Sequence, residues 1–309
     1  MKLDYKSTLI GITLGIIGLF AFFLFLGNIK TELSLSFGDS VNSKFLDIQL
    51  ENINTIISYN IRYDNKWDKN NNWLLRRERL CRQLRDYHPS IFGIQEGLLH
   101  QVAYIDIALP NYNYIGVGRD DGETKGEFCA IYFDTTRFEI IENSTFWLSE
   151  NPEKVSIGWD AAMERICTYG LFAEKESEKK MWVFNTHFDH IGQNSRKESA
   201  ELIINKIKTL NKQLYPVILM GDFNSTPESS PIKVIKNEFD DALDISSSKL
   251  RGPVGTFNGF DFKHPTDKRI DYIFAKNLKI RSYRHVDDRL KNNHFISDHL
   301  PVMVNVKLE

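Results

Sequence analysis

Cysteine is scarce: Cys81, Cys129 and Cys167 are the only three in 309 residues. An odd count in a chain this long cannot build a disulfide framework, and it leaves the redox compartment open. A surplus of either charge is also missing. Lysine and arginine number 39 against 41 acids, for a net charge of −2. Generic polyanion binding needs excess positive charge, so that class is excluded, while action on one phosphate at a time is not. Internal repeats and low-complexity linkers are absent as well. At 42% hydrophobic, 26% charged and 12% aromatic, the composition excludes disorder, collagen-like and coiled-coil architectures.

One long hydrophobic run is present. From Ser7 to Ile29 there are 23 residues without a charge, between Lys6 and Lys30. As a helix this run would be about 35 Å long, enough to cross a bilayer core, and it has no polar stripe. The small-residue pattern of a signal cleavage site is missing, since the run ends Phe25-Leu26-Gly27-Asn28-Ile29. The segment is expected to be an uncleaved single-pass anchor, with secretion after cleavage as the alternative. Lys2 and Lys6 favour an N-inside orientation and a body outside the cytoplasm. The expected division is a short tail at 1–6, a transmembrane helix at 7–29, a polar tether at 30–50, and one domain at 51–309.

Strand-like and helix-like stretches then alternate. Thr55–Ile61 and Ser90–Gln95 are short β-rich runs. Between them Trp73, Leu80, Cys81, Leu84 and Tyr87 recur at helical spacing, with Arg76, Arg79, Arg82 and Arg85 read as the solvated face. Phe128–Phe133, Phe138–Phe146, Arg165–Phe172 and Met181–Thr186 read as strands. A second apolar helix face runs through Ala200, Ile203, Ile204, Ile207, Leu210 and Leu214. Val217–Met220, Ile270–Phe274, Ile280–Val286 and Val302–Val306 complete the strands. Several strands follow one another without a helix between, which predicts packed sheets with helices outside rather than strict βαβ alternation.

The chemistry-bearing residues gather at strand ends. Asn60 closes the first strand and Glu96 the second. His187 follows Trp182–Thr186, and Asp222 and Asn224 follow Val217–Met220. Asp271 sits in Arg269-Ile270-Asp271-Tyr272, and Asp298 and His299 in Ser297-Asp298-His299-Leu300. Strands that end in an acid, amide or imidazole can aim those groups into one cleft from a rigid frame. Singly, each has a duller reading as a turn former, helix cap or satisfied core residue; six such ends in one domain exceed what turns require. Carboxylates and amides without clustered cysteines suit a hard cation, Mg²⁺ or Mn²⁺ before Zn²⁺. One or two carboxylates suffice for Mg²⁺, and Glu96 and Asp298 would supply them. The other groups suit phosphoester hydrolysis, with an acid to activate water and imidazoles to stabilise charge on phosphorus.

The ordered set SYNIR, GIQE, NTHFDH, GDFNSTP, RIDYIF and SDHLP resembles the endonuclease/exonuclease/phosphatase superfamily of metal-dependent phosphoesterases, from about residue 54 to 306. The resemblance implies an α/β fold, a four-layered sandwich of two mixed β-sheets flanked by helices, with the active site along one sheet edge. It implies Glu96 as the metal-binding acid, with Asp298 and Asn60 beside the metal. Asp222 and Asn224 would position the attacking water and the phosphoryl group. Asp271 would orient His299, and Glu127 would pair with His187. Asn60, Asn224 and Arg165 would contact phosphate. The reaction implied is in-line attack of water, with inversion and no covalent intermediate.

Two rival readings stand beside it. Asn185-Thr186-His187-Phe188-Asp189-His190 departs by one residue from the HxHxDH zinc box of metallo-β-lactamase-type hydrolases: Asn185 stands where a ligating histidine belongs. The other rival is a non-catalytic binding module on a phosphoesterase scaffold. Gly116–Gly122 lacks the ending of a phosphate loop and reads as a surface loop. The substrate stays open among nucleic acid, phospholipid head group and inositol phosphate. No protein partner is inferred, and the stretch from Glu142 to Arg165 is the expected specificity element.

Overall fold

The computed structural model describes residues 53–308. The expected anchor at 7–29 and the tether at 30–50 lie outside the described residues. Among the described residues no helix is long and apolar enough to cross a membrane.

Two six-stranded mixed sheets form the centre. The first runs β11 (Lys279–His285), β12 (Val302–Lys307), β1 (Ile53–Asn60), β2 (Ile91–Gln95), β4 (Ile131–Asp134), β3 (Tyr112–Ile115). The second runs β5 (Phe138–Trp147), β6 (Ile166–Glu174), β7 (Lys180–His187), β8 (Val217–Asp222), β10 (Asp271–Lys276), β9 (Asp240–Asp241). Strand alternation sorts side chains to two faces. Ile56, Val183, Ile218, Met220, Ile273 and Val304 fill the space between the sheets. The opposite faces are covered by helices. Ile57, Tyr59, Phe92 and Ile94 cluster with Trp73, Leu80 and Leu84 of α1 (Trp73–Tyr87) and with Val102 and Ile105 of α2 (Leu99–Ala108). Trp182, Phe184, Val217 and Leu219 meet Ala200, Ile203 and Ile207 of α3 (Gln193–Leu210) and Ile232 and Ile235 of α4 (Ser230–Lys236). Each such side chain, fully buried, contributes about 1.5–3 kcal/mol. The expected two-sheet sandwich flanked by helices is what forms.

The topology places the strand ends that matter together. β1 and β2 are parallel and pair Asn60 with Gln95; β7 and β8 are parallel and pair His187 with Asp222. β10 runs antiparallel to β8 and starts with Asp271 opposite Asp222. A polar pin joins the sheets directly beneath. Asn185 Nδ2 donates to the carbonyls of Ile94 and Ala130 at 2.8 and 2.9 Å, and Gln95 Nε2 donates to Asn185 Oδ1 at 2.7 Å. Gly93 permits this approach, since a Cβ there would lie 2.6 Å from Met220 and 2.7 Å from Asn185.

Three expectations are corrected. Arg76 is not on a solvated face: it is completely buried. The expected strand at Phe128–Phe133 is ordered as Ile131–Asp134, with Phe128 held instead by isolated bridges to Gly97 and Gly118. Helix α2 has no counterpart in the periodicity reading, because Ile107 and Leu99 are exposed while Gln101 is buried, which blurs its apolar stripe.

Candidate active site

Asn60 stands at the centre of the cleft. Its Nδ2 donates to Glu96 Oε1 at 3.0 Å and to Asp222 Oδ2 at 2.9 Å, while its Oδ1 accepts from the Arg62 amide at 3.0 Å. Both amide hydrogens are thereby spent on carboxylates. Asn60 holds two acids at a fixed spacing. The Tyr63 amide donates to Glu96 Oε2 at 3.0 Å. Ser297 Oγ donates to the Asn60 carbonyl at 2.7 Å, tying the Asp298–His299 segment to the end of β1.

Just before β12, His299 reaches the second sheet: its Nδ1 lies 2.8 Å from Asp271 Oδ2 and its Nε2 3.7 Å from Asp222 Oδ2. Burial alone would lower the His299 pKa. The facing carboxylates of Asp271, Asp222 and Asp298 outweigh it and hold the imidazole well above its usual range. Burial, then Asp271, lifts Asp222 from the usual 3.8 to about 7, against the lowering effect of His299. Burial likewise lifts Asp298 to about 6, with Glu96 adding to it and His299 opposing.

Burial first, then the cations of Arg165 and Arg119, push the pKa of His187 well below the usual value. Its Nε2 accepts from Asn224 Nδ2 at 3.1 Å. His187 Nδ1 is 3.8 Å from Glu127, beyond hydrogen-bond distance. Glu127 is instead gripped by Arg119 through two bonds of 2.7 and 3.0 Å. Arg119 comes from the Gly116–Gly122 stretch, and only its residue type, eight positions before Glu127, hinted at this. Asn224 Nδ2 also donates to the Phe188 carbonyl at 3.0 Å.

Arg165 donates from Nε to Asp189 at 3.3 Å and from Nη2 to His190 Nδ1 at 3.1 Å, and its Nη1 is buried without a partner. Arg62, Arg119, Arg165, Lys268, His190 and the acids border one cleft of about 600 Å³. Met163 and Arg165 bring the end of the expected specificity stretch to it, whereas Glu142–Trp147 belongs to β5. Three non-glycine residues here have left-handed backbones, Arg62 (φ 59°), Glu96 (φ 65°) and Asn224 (φ 46°). Such conformations cost on the order of 1–3 kcal/mol each and persist where the surroundings dictate them.

Among the described residues, Glu96, Asp222 and His299 offer donor atoms within 4.8 Å of one another. Of the expected trio, Asn60 lies 3.0 Å from Glu96, and Asp298 lines the same cleft 3.7 Å from Arg62. The closely spaced carboxylates of Glu96 and Asp222 fit a hard divalent cation, which relieves their mutual repulsion. The zinc-box residues do not converge. Asn185 points between the sheets, and Asp189 accepts from Arg165 and the Ile191 and Gly192 amides.

This geometry defines a phosphoric ester hydrolase on a two-sheet α/β sandwich. The chain belongs to the endonuclease/exonuclease/phosphatase family, whose model matches residues 57–299. An endonuclease/exonuclease/phosphatase family protein of Bacteroides thetaiotaomicron superposes with a TM-score of 0.80 at 37% identity, covering 84% of this chain and 99% of that one. A mannosyl-6-phosphatase of the same species gives 0.79 at 38% identity, covering 82% and 99%. Of the curated proteins, "uncharacterized protein L388" of Acanthamoeba polyphaga mimivirus is 31% identical over 209 residues, 63% of this chain and 76% of that protein. The chain spans less than half the length of the more distant curated relatives it matches.

Proposed function

We propose that this chain is a Mg²⁺- or Mn²⁺-dependent phosphoesterase that hydrolyses the phosphomonoester of a small phosphorylated sugar. The observation that carries the reading is the Asn60 bridge, which presents Glu96 and Asp222 side by side next to the Asp271–His299 pair. When bound, the divalent cation supplies positive charge to the phosphate and the leaving oxygen. Glu96 and Asp222 would hold it. His299, held by Asp271, directs an Nε2–H at the phosphoryl oxygens. Asp222 accepts the proton of the attacking water, which the Asn224 oxygen orients. The displacement is in line, with inversion. Arg119, Arg165 and Lys268 hold the substrate from the opposite wall.

The sugar-phosphate class is supported by the mannosyl-6-phosphatase at 38% identity, of which the chain covers 99%, and by a cleft whose volume of about 600 Å³ suits a small substrate. The uncharged run at 7–29 supports attachment to a membrane, with the catalytic domain on its outer side. The test is a panel with Mg²⁺: a hexose 6-phosphate, an inositol polyphosphate, plasmid DNA, single-stranded RNA, sphingomyelin and a chromogenic diester. Phosphate release from the hexose phosphate, abolished by chelator and restored by Mg²⁺ or Mn²⁺, is expected. No release from any member with either ion overturns the hydrolase reading; preference for a diester overturns the substrate class. Stoichiometric tightly bound zinc in the purified protein would revive the zinc alternative.

A further inference from the structure

Arg76 lies on α1, outside the cleft, and the amphipathic pattern of that helix does not explain its burial. Its side chain is fully buried, yet its hydrogen bonds go to backbone carbonyls rather than to a carboxylate. Nε donates to the Asn71 carbonyl at 2.6 Å. Nη1 donates to the carbonyls of Ile61 and Ile296, both at 2.9 Å, and Nη2 to that of Arg62 at 3.2 Å. The guanidinium lies between the rings of Trp73 and Phe260, at 5.7 and 5.4 Å from their centroids.

The positions of those carbonyls are what matters. Ile61 and Arg62 directly follow Asn60. Ile296 precedes Ser297, Asp298 and His299. Phe260 ends a turn whose Asn258 and Gly259 amides donate to the Asp298 carbonyl at 2.8 and 3.1 Å. One planar cation therefore fastens three segments, two of which lead directly from Asn60 and into Ser297, Asp298 and His299. A buried cation without a bonded counter-charge is expensive to maintain, and a packing role alone is met by an apolar residue of that volume. The fork geometry of arginine is what four diverging carbonyls need; a lysine ammonium cannot span them.

We propose that Arg76 is a positioning residue. It locks the Asn60–Arg62 and Ile296–His299 segments in register, so that Asn60, Glu96 and His299 meet with the spacing that divalent-cation binding and turnover demand. This rests on the phosphoesterase reading above, and the test separates the two. Arg76→Met and Arg76→Lys are compared with Arg137→Met. Arg137 bonds Ser90 and Asn54 at the far end of the sandwich and serves as the control for lost stability. Mn²⁺ affinity is read by calorimetry, and kcat and KM by phosphate release.

The expected result is Mn²⁺ affinity weakened about 10–100-fold in Arg76→Met, with kcat falling by a similar factor and KM changing little. Arg76→Lys should fall between it and the unaltered protein, because it keeps the charge but not the fork. Arg137→Met should lose thermal stability and keep Mn²⁺ affinity. Should Arg76→Met fail to fold, Arg76→Lys decides alone. Unaltered Mn²⁺ affinity and kcat in a folded Arg76 variant, or equal losses in Arg137→Met, overturn the positioning role. Absence of metal binding and hydrolysis in the unaltered protein overturns the phosphoesterase reading instead.

Discussion

Replacing Asp222 by asparagine should stabilise the metal-free protein while destroying its activity. Asp222 is 1% exposed, and burial lifts its carboxyl from 3.8 to about 7. Between those values the folded state keeps a proton that the unfolded chain has released. Stability therefore falls as pH rises through this window, and the cost is fully present above pH 7. At about 1.36 kcal/mol per tenfold change in the ionisation constant, ionised Asp222 costs about 4 kcal/mol at pH 8. Asparagine escapes that cost but can accept only one of the two bonds now received from Asn224 N and Asn60 Nδ2, a loss of about 1–3 kcal/mol. The net gain is about 1–3 kcal/mol, or roughly 2–10 °C in Tm for a domain of this size. Calorimetry in EDTA at pH 8 should show it, and at pH 5 the two proteins should melt alike. Turnover with Mg²⁺ should drop by about 10²-fold or more. A variant no more stable than the parent at pH 8 would falsify the picture of an uncompensated buried carboxylate awaiting a cation.

Three further outcomes are expected. Asp271→Asn leaves His299 without its bonded counter-charge, so kcat should fall by roughly 10²–10³ with an unchanged far-ultraviolet spectrum; near-parental kcat removes His299 from the chemistry. Arg119→Met should raise KM for a hexose phosphate about 10-fold or more, the worth of a charge-assisted bond, and an unchanged KM places Arg119 away from substrate. His285 is buried between Tyr283 and the Pro253 carbonyl, and burial lowers its pKa from 6.5 to about 4. The unfolded chain takes up that proton first, so this contribution is present above pH 6.5 and lost as pH falls toward 4, about 3 kcal/mol in all. His285→Phe should flatten the stability profile across that window in denaturant titrations; an unaltered slope refutes the assignment.

Much of the frame could be read from period and order alone. Strands β1, β2, β7, β8 and β12 announce themselves as apolar runs, and their terminal acids and amides are where the cleft forms. The direction of each side chain was a different matter. GDFN and SYNIR say that Asn60 and Asn224 are near phosphate chemistry. Only three-dimensional neighbours show that their amide hydrogens are already spent on Glu96, Asp222, His187 and Phe188. Arg76 was misread because helical periodicity measures hydrophobicity, and a guanidinium satisfied by four carbonyls mimics a surface residue in that measure. Arg119 was passed over because loops carry no period at all. The left-handed backbones of Arg62 and Glu96 likewise have no signature in residue type, since neither arginine nor glutamate favours that conformation.

The Asn185–Gln95 pin has a mechanical consequence. Asn60 and Glu96 ride on one slab of the sandwich, and His187, Asp222 and Asp271 on the other. Catalytic competence is therefore a property of the seam: a slip of about one ångström between slabs would part Asn60 from Asp222 while leaving every strand ladder whole. Turnover thus reports on sliding of the interior that spectroscopy of secondary structure cannot register, and warming or pressure should silence the enzyme before either slab melts.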